Sequence, residues 1–292
     1  MVNQKIKSIF KRGSKTYYYS SIFFPKQVRE DVSTLYSFVR MADDYVDAIP
    51  QKKKEFFDFV SQYHKALEEG KESGNLVIDE FIKLIKKQDF DPDWIDAFLH
   101  SMAMDTYKDS YDTIDELKEY LYGSAEVIGL MMAKIMDLPE ESYESARYLG
   151  RAMQYINFIR DVEEDIRLNR LYLPRNTLEE YGLQSLNYEE ISGNKKNFKG
   201  FINEQIDLYF EWQKKAEEGF KYIPRRYLIP IKTASDMYKW TARKIRIAPF
   251  IVYENKIKPS KLLIVKQGLS NTLLGNTKIF KSNPLKRKGK AC

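Results

Sequence analysis

Apolar residues between Pro25 and Pro50 fall at Val28, Val32, Leu35, Val39 and Val46. They step mainly by three and four, which places them on one face of a helix. Pro25, Pro50, Pro92, Pro139, Pro174, Pro224 and Pro259 divide the chain into long stretches of this period, as residues that punctuate helices do. The stretch from Pro139 to Pro174 holds a single glycine, Gly150. Alternating apolar and polar runs bounded by turn dipeptides, the mark of strands, are missing. There is no internal repeat and no low-complexity linker. The pattern predicts an all-α chain folded as one bundle, with helices long enough to line a central cavity.

Composition adds exclusions. The single cysteine, Cys292, rules out an internal disulfide and points to a reducing interior. The two histidines, His64 and His100, stand in no ligand spacing, so a Cys/His zinc site is excluded and any metal must be held by oxygen. No apolar run reaches the roughly 18 to 20 residues that span a bilayer. Val127–Met136 comes nearest, and Lys134 interrupts it. The basic N-terminus (Lys5, Lys7, Lys11, Arg12) lacks a following apolar core, so no signal peptide is read. These features together predict a cytoplasmic protein.

The formal charge is +6, but it is unevenly placed. No acidic residue follows Glu254, whereas Lys256, Lys258, Lys261, Lys266, Lys278, Lys281, Lys286, Arg287, Lys288 and Lys290 do. The body is therefore net negative, and the chain divides into a domain at 1–275 and a basic tail at 276–292. The tail reads as a solvated terminus, with contact to anionic lipid as the alternative. Phe280 alone among the lysines gives no stacking platform, so no nucleic-acid partner is expected.

Two acidic clusters carry the candidate chemistry. Tyr36, Arg40, Asp43 and Asp47 fall within about 60° of one another on a helix, beside its apolar stripe. Asn157, Asp161 and Asp165 step by four and fall within about 80° on one face, with Gln154 between them in angle. Either cluster alone reads as a solvated acidic edge. Two such clusters next to apolar positions suggest facing acidic helices that bridge hard cations such as Mg²⁺. Arg40, Arg160 and Arg170 would supply forked donors to phosphate oxygens. The chemistry suggested is metal-assisted departure of diphosphate from an apolar substrate in a cavity that excludes water. Arg160 projects about 100° from Asp161 on an ideal helix, away from this face.

The sequence resembles the squalene and phytoene synthase family from about Ser14 to Lys261. Ser14-Lys15-Thr16-Tyr17 is similar to the family's N-terminal element, and Asp43-Asp44-Tyr45-Val46-Asp47 to its first aspartate-rich motif. Tyr120 to Gly129 is similar to its small-residue helix motif. Leu149-Gly150, Gln154, Asn157, Arg160-Asp161, Asp165, Arg170, Tyr172 and Pro174 keep the long second signature at every spacing. The resemblance implies an isoprenoid-synthase-type bundle and head-to-head condensation of two identical prenyl diphosphates. It implies Mg²⁺, with Mn²⁺ as an alternative, at Asp43, Asp47, Asn157, Asp161 and Asp165, the four aspartates being catalytic. It also implies substrate contacts from Ser14, Lys15, Tyr17, Tyr36, Arg40, Gln154, Arg160, Arg170 and Tyr238, with Tyr122 and Tyr172 facing the cavity.

Glu126 departs from the family pattern, where glycine is common. A carboxylate in an apolar tunnel is costly unless paired, so it either faces outward or has a local partner. Leu121 also replaces a commonly small residue or cysteine. Gly123, Ser124, Ala125 and Gly129 mean close helix packing, a smooth cavity wall, or both. The tyrosines at 17 to 19 read as core and Met131-Met132 as core filler. Among products, phytoene from two geranylgeranyl diphosphates is favoured, without NADPH. Squalene or dehydrosqualene from farnesyl diphosphate, a chain-elongating prenyltransferase, and a non-catalytic assembly factor are the alternatives. A hydrocarbon product suggests peripheral work at a membrane. The oligomeric state is open.

Overall fold

The computed structural model describes residues 4–254 and 257–278. Its helices are α1 (Gln4–Gly13), α2 (Lys15–Ser21), α3 (Lys26–Val46), α4 (Lys53–Glu69), α5 (Leu76–Gln88), α6 (Pro92–Met104), α7 (Ile114–Leu121), α8 (Val127–Ile135) and α9 (Tyr143–Arg160). They continue with α10 (Val162–Arg167), α11 (Arg175–Glu180), α12 (Tyr188–Gly193), α13 (Lys195–Glu218), α14 (Arg225–Ile247), α15 (Ile251–Glu254) and α16 (Lys261–Lys278). Among the described residues there is no strand, only an isolated bridge between Ser110 and Leu171. No described helix is long and apolar enough to cross a membrane.

Local chemistry sets the helix starts. Ser14 Oγ accepts the Tyr17 amide at 3.2 Å, Asn75 Oδ1 that of Val77 at 3.0 Å, and Thr113 Oγ1 that of Glu116 at 3.1 Å. Each satisfies one of the orphan donors of a first turn. Asp91 caps α6, and Pro92 sits in its first turn, where a missing N–H is harmless. Pro25, Pro174 and Pro224 immediately precede α3, α11 and α14. Pro230 is the exception, inside α14, where it removes one helical hydrogen bond.

The apolar faces meet in one core. The α3 stripe is buried at Val28, Val32, Leu35 and Val46, and Phe38 joins it, stacked on Phe81 of α5 at 3.9 Å. α9 lies at the centre, packed on α13, α8 and α14. Gly129 and Gly150 permit close approach to α9 and to the turn before α8: an added Cβ would stand 2.2 Å from the Ala146 carbonyl oxygen and 2.2 Å from that of Ala125, respectively.

Three departures from the pattern matter. Tyr122–Glu126 is a π-helical turn between α7 and α8. The second acidic cluster does not lie on one continuous helix, because α9 ends at Arg160 and Asp161 leaves helical geometry at φ −100° and ψ 20°. α16 runs through the expected 275/276 boundary to Lys278. The rest of the expected tail, residues 279–292, lies outside the described residues.

Candidate active site

Fifteen of the sixteen site residues expected from sequence line one chamber of about 530 Å³. α1, α2 and the turn between them bring Ser14, Lys15 and Tyr17; α3 brings Tyr36, Arg40 and Asp43, with Asp47 as its C-cap. α9, α10 and the segment after them bring Gln154, Asn157, Arg160, Asp161, Asp165, Arg170 and Tyr172, and α14 brings Tyr238. A second, apolar chamber of about 230 Å³ adjoins it, lined by Phe24, Val32, Leu35, Ile128, Met132, Met136, Leu149, Met153 and Ile231 among others. Tyr17, Tyr36, Val39, Ser124 and Gln154 line both and mark the boundary.

Charges in the polar chamber are arranged as pairs. Arg40 donates to Asp43 at 2.6 Å and lies 2.5 Å from Asp44. Arg170 donates to Asp47 at 2.7 Å and to the Val46 carbonyl at 2.7 Å. Arg160 holds both oxygens of Asp161, through Nε at 2.8 Å and through Nη2. The ideal-helix projection, which turned Arg160 away, fails because Asp161 has left the helix. Among the described residues no three acidic side chains converge closely enough to hold an ion as they stand; arginines engage three of the four aspartates.

The carboxylates nonetheless strain against one another. Burial and then Asp47 push Asp43 up to about 8, opposed by Arg40. The Asp43 side chain is 32% exposed to the chamber, which moderates the burial contribution. Asp165 is driven well above the usual carboxylate range by burial, then Asp161 and Asp47. Asn157 Oδ1 is buried with no hydrogen-bond partner. Hard oxygens, mutually repelling carboxylates and an unpartnered amide oxygen form a donor set that fits a divalent cation.

Tyr122 lies outside both linings, contrary to expectation; its ring sits under Arg147, 5.3 Å from the guanidinium centre. Tyr120 lines the polar chamber instead. Residues two apart on a helix point about 200° apart, so one of the pair faces inward and the other outward. Two other expectations also shift. Tyr17 stands apart from its neighbours, its ring 6.3 Å from Tyr36 and 5.7 Å from Tyr238 at the boundary. Met131 is core, whereas Met132 lines the apolar chamber. The small residues serve both purposes: Gly123 is pure packing, its added Cβ 2.0 Å from the Ala97 carbonyl, while Ser124, Ala125 and Gly129 are chamber wall.

Sequence reasoning missed Asp105 and Lys258, which also line the polar chamber. Asp105 is 5% exposed and accepts the hydroxyls of Tyr120 and Tyr172, each at 2.8 Å. Burial raises it to about 6, against the pull of Arg170 and the two tyrosines. A lone acid at the end of the apolar helix α6 was the available signal.

A helical bundle that joins an apolar chamber to one lined by carboxylates and guanidiniums suits a molecule with a long hydrocarbon chain and an anionic head. The comparisons agree. The family model for squalene/phytoene synthase matches residues 10–262, and the chain belongs to that family, whose members make it a prenyltransferase. It is 28% identical over 273 residues to a 15-cis-phytoene synthase of Synechocystis sp., covering 86% of this chain and 79% of that protein. It is 24% identical over 274 residues to the 4,4'-diapophytoene synthase of Staphylococcus haemolyticus, covering 87% and 95%. The solved structure of a dehydrosqualene synthase in complex with ligand superimposes with a TM-score of 0.82 at 22% identity, covering 94% of this chain and 96% of that one. The squalene synthase of Alicyclobacillus acidocaldarius does so with 0.73 at 18% identity, covering 85% and 94%. These two show the shared fold.

Proposed function

We propose that the protein condenses two geranylgeranyl diphosphates head to head to give phytoene. The observation that carries this reading is the meeting of an apolar and a charged chamber at Tyr17, Tyr36, Val39, Ser124 and Gln154. A prenyl diphosphate straddling that boundary has its chain in one chamber and its head in the other. The phytoene synthases among the relatives support the twenty-carbon substrate.

Asp43, Asp47, Asn157, Asp161 and Asp165 are the residues that would hold Mg²⁺, or Mn²⁺. A divalent ion held there would supply positive charge to the diphosphate oxygens and so make the diphosphate a better leaving group. Arg40 and Arg160, with Lys15, offer donors to the head group as it departs. The C1–O bond of the donor breaks, and the electron pair leaves with the diphosphate. The allylic cation is attacked by the acceptor's double bond, and loss of a proton closes a cyclopropylcarbinyl diphosphate. Departure of the second diphosphate, rearrangement and proton loss give the linear hydrocarbon without NADPH. The apolar chamber walls exclude the water that would quench either cation.

The test is incubation with Mg²⁺ and geranylgeranyl or farnesyl diphosphate, with and without NADPH, and mass identification of the extracted hydrocarbon. A forty-carbon product without NADPH is expected. A thirty-carbon product would move the protein to the farnesyl branch, and no hydrocarbon from either would overturn the reading. Peripheral membrane contact belongs to the same proposal, since the product is insoluble in water and the end of the chain is basic. Deleting residues 282–292 should weaken binding to anionic liposomes at low salt; unchanged binding would remove the tail from the proposal.

A further inference from the structure

Glu126 brings a carboxylate into the interior, at 0% exposure. Its two oxygens are held separately: Arg147 Nε donates to Oε2 at 2.8 Å and Arg151 Nε to Oε1 at 2.6 Å. The arginines are one turn apart on α9, so successive turns grip one side chain. Each guanidinium is also covered by rings, Arg147 by Tyr122 at 5.3 Å and Arg151 by Tyr148 and Trp212 at 5.0 and 5.2 Å. Charge-assisted bonds of this kind fix direction as well as distance. Breaking them would leave an uncompensated buried charge.

The position of this clamp gives it a consequence for the prenyl site. Glu126 ends the π turn, and its neighbours Ser124, Ala125 and Gly129 form one wall of the apolar chamber. Ala146, Gly150 and Met153 of α9 form the adjoining part. The two walls touch at backbone level, where an added Cβ on Gly150 would come within 2.2 Å of the Ala125 carbonyl oxygen. The ion cluster and the chamber wall therefore occupy different faces of one helix pair, and whatever fixes the spacing of that pair fixes the chamber.

We propose that Glu126, gripped by Arg147 and Arg151, is a positioning residue that sets the width of the apolar chamber and so its discrimination between prenyl chains of different length. The inference rests on the prenyl reading of that chamber. The test is binding of the fifteen- and twenty-carbon S-thiolo diphosphates, which occupy the site with little ionisation, to the full chain and its variants. Glu126→Gln should move the ratio of the two dissociation constants roughly fivefold toward unity. Arg147→Gln should move it by a smaller factor in the same direction, because Arg151 remains; Arg147 is 43% exposed, so this variant keeps the proposal testable should Glu126→Gln fail to fold. Val77→Ala, a cavity in α5 away from both chambers, should lower the melting temperature and leave the ratio alone. A wild-type ratio in folded Glu126→Gln, or in Arg147→Gln should Glu126→Gln fail to fold, would overturn the clamp while leaving the prenyl reading standing. Failure of the wild type to bind either analogue would instead overturn the prenyl reading, and the clamp proposal with it.

Discussion

The two aspartate clusters share a one-turn spacing and differ in almost everything else. Asp43 lies within α3 and Asp47 caps its end, so Arg40 reaches Asp43 by ordinary i,i+3 geometry at 2.6 Å. Asp161 caps α9, where the chain leaves the helix, and its arginine is the residue directly before it. Adjacent residues do not face each other on a helix; here they pair because the helix stops. Asp43 and Asp47 sit at the carboxyl-terminal end of α3, where the helix dipole disfavours negative charge by a few tenths to about 1 kcal/mol each, whereas Asp161 joins the end of α9 to the start of α10 and Asp165 lies in the first turn of that short helix. Gathering both sets of carboxylates in one chamber is poor design for stability and good design for attracting cations.

The sharpest way to break the comparison is to neutralise one aspartate from each cluster. Asp43→Asn and Asp161→Asn should each lower turnover by roughly 10²–10³-fold or more, the range for loss of one charge-stabilising group. Helical content by circular dichroism should stay, because each change keeps the side chain's shape and an acceptor for its arginine and opens no cavity. Retained activity in both would sink the metal assignment, and loss in only one would show that the clusters are not equivalent partners.

Asp105 distinguishes the clusters next, because Arg170 ties it to the first cluster, donating both to its carbonyl at 3.2 Å and to Asp47 at 2.7 Å. It titrates near 6 in the folded chain, whereas an unperturbed Asp does so near 3.9. Between those values the folded state holds more protons, so its stability is full below about pH 4 and falls as pH rises through 6. The swing is up to about 3 kcal/mol. Asp105→Asn should flatten that part of the stability–pH curve, measured by denaturant unfolding; an unchanged slope would show that the carboxyl is not held as described.

Mg²⁺ binding gives a comparable readout that needs no substrate. At about one hundred times its dissociation constant the ion should stabilise the wild type by roughly 2.7 kcal/mol, seen as a higher melting temperature that EDTA reverses. Removal of either cluster's pair, as Asp43→Asn/Asp47→Asn or Asp161→Asn/Asp165→Asn, should reduce that shift. An equal shift in both double variants would place the ion elsewhere.

Much of this site was legible because it is periodic. The α3 stripe, the prolines at helix starts and the clusters' spacing are properties of one helix at a time. The chamber gathers Tyr36, Arg40, Asp43, Asp47, Gln154, Asn157, Asp161 and Asp165, which that spacing grouped, together with Ser14, Lys15, Tyr17, Tyr172 and Tyr238, which only the family resemblance supplied. What escaped depends on breaks in period or on distant partners. The stop at Asp161 has no proline or glycine to announce it. Asp105 is a single acid whose role exists only once Tyr120, Tyr172 and Arg170 come together across α6, α7 and the segment after α10. Glu126 posed an open choice between exposure and pairing, and the arginines that settle it lie 21 and 25 residues further along.

The smallest expected effect tests that lesson at the tyrosines, where one step of helical phase separates two candidates. Tyr120 is 2% exposed, donates to Asp105 and lines the polar chamber; Tyr122 packs under Arg147 on the other side. Tyr120→Phe removes a hydroxyl from a buried carboxylate, a loss of about 1–3 kcal/mol. It should push the Asp105 titration upward, since one of its stabilising donors is gone, and slow turnover roughly tenfold. Tyr122→Phe keeps the ring that meets the guanidinium, and the residue lines neither chamber, so turnover should stay within about twofold and stability within about 0.5 kcal/mol. Steady-state kinetics on the pair decides it. Equal losses would mean that the π turn presents both tyrosines to the substrate, and a larger loss in Tyr122→Phe would restore the assignment that the family resemblance implied.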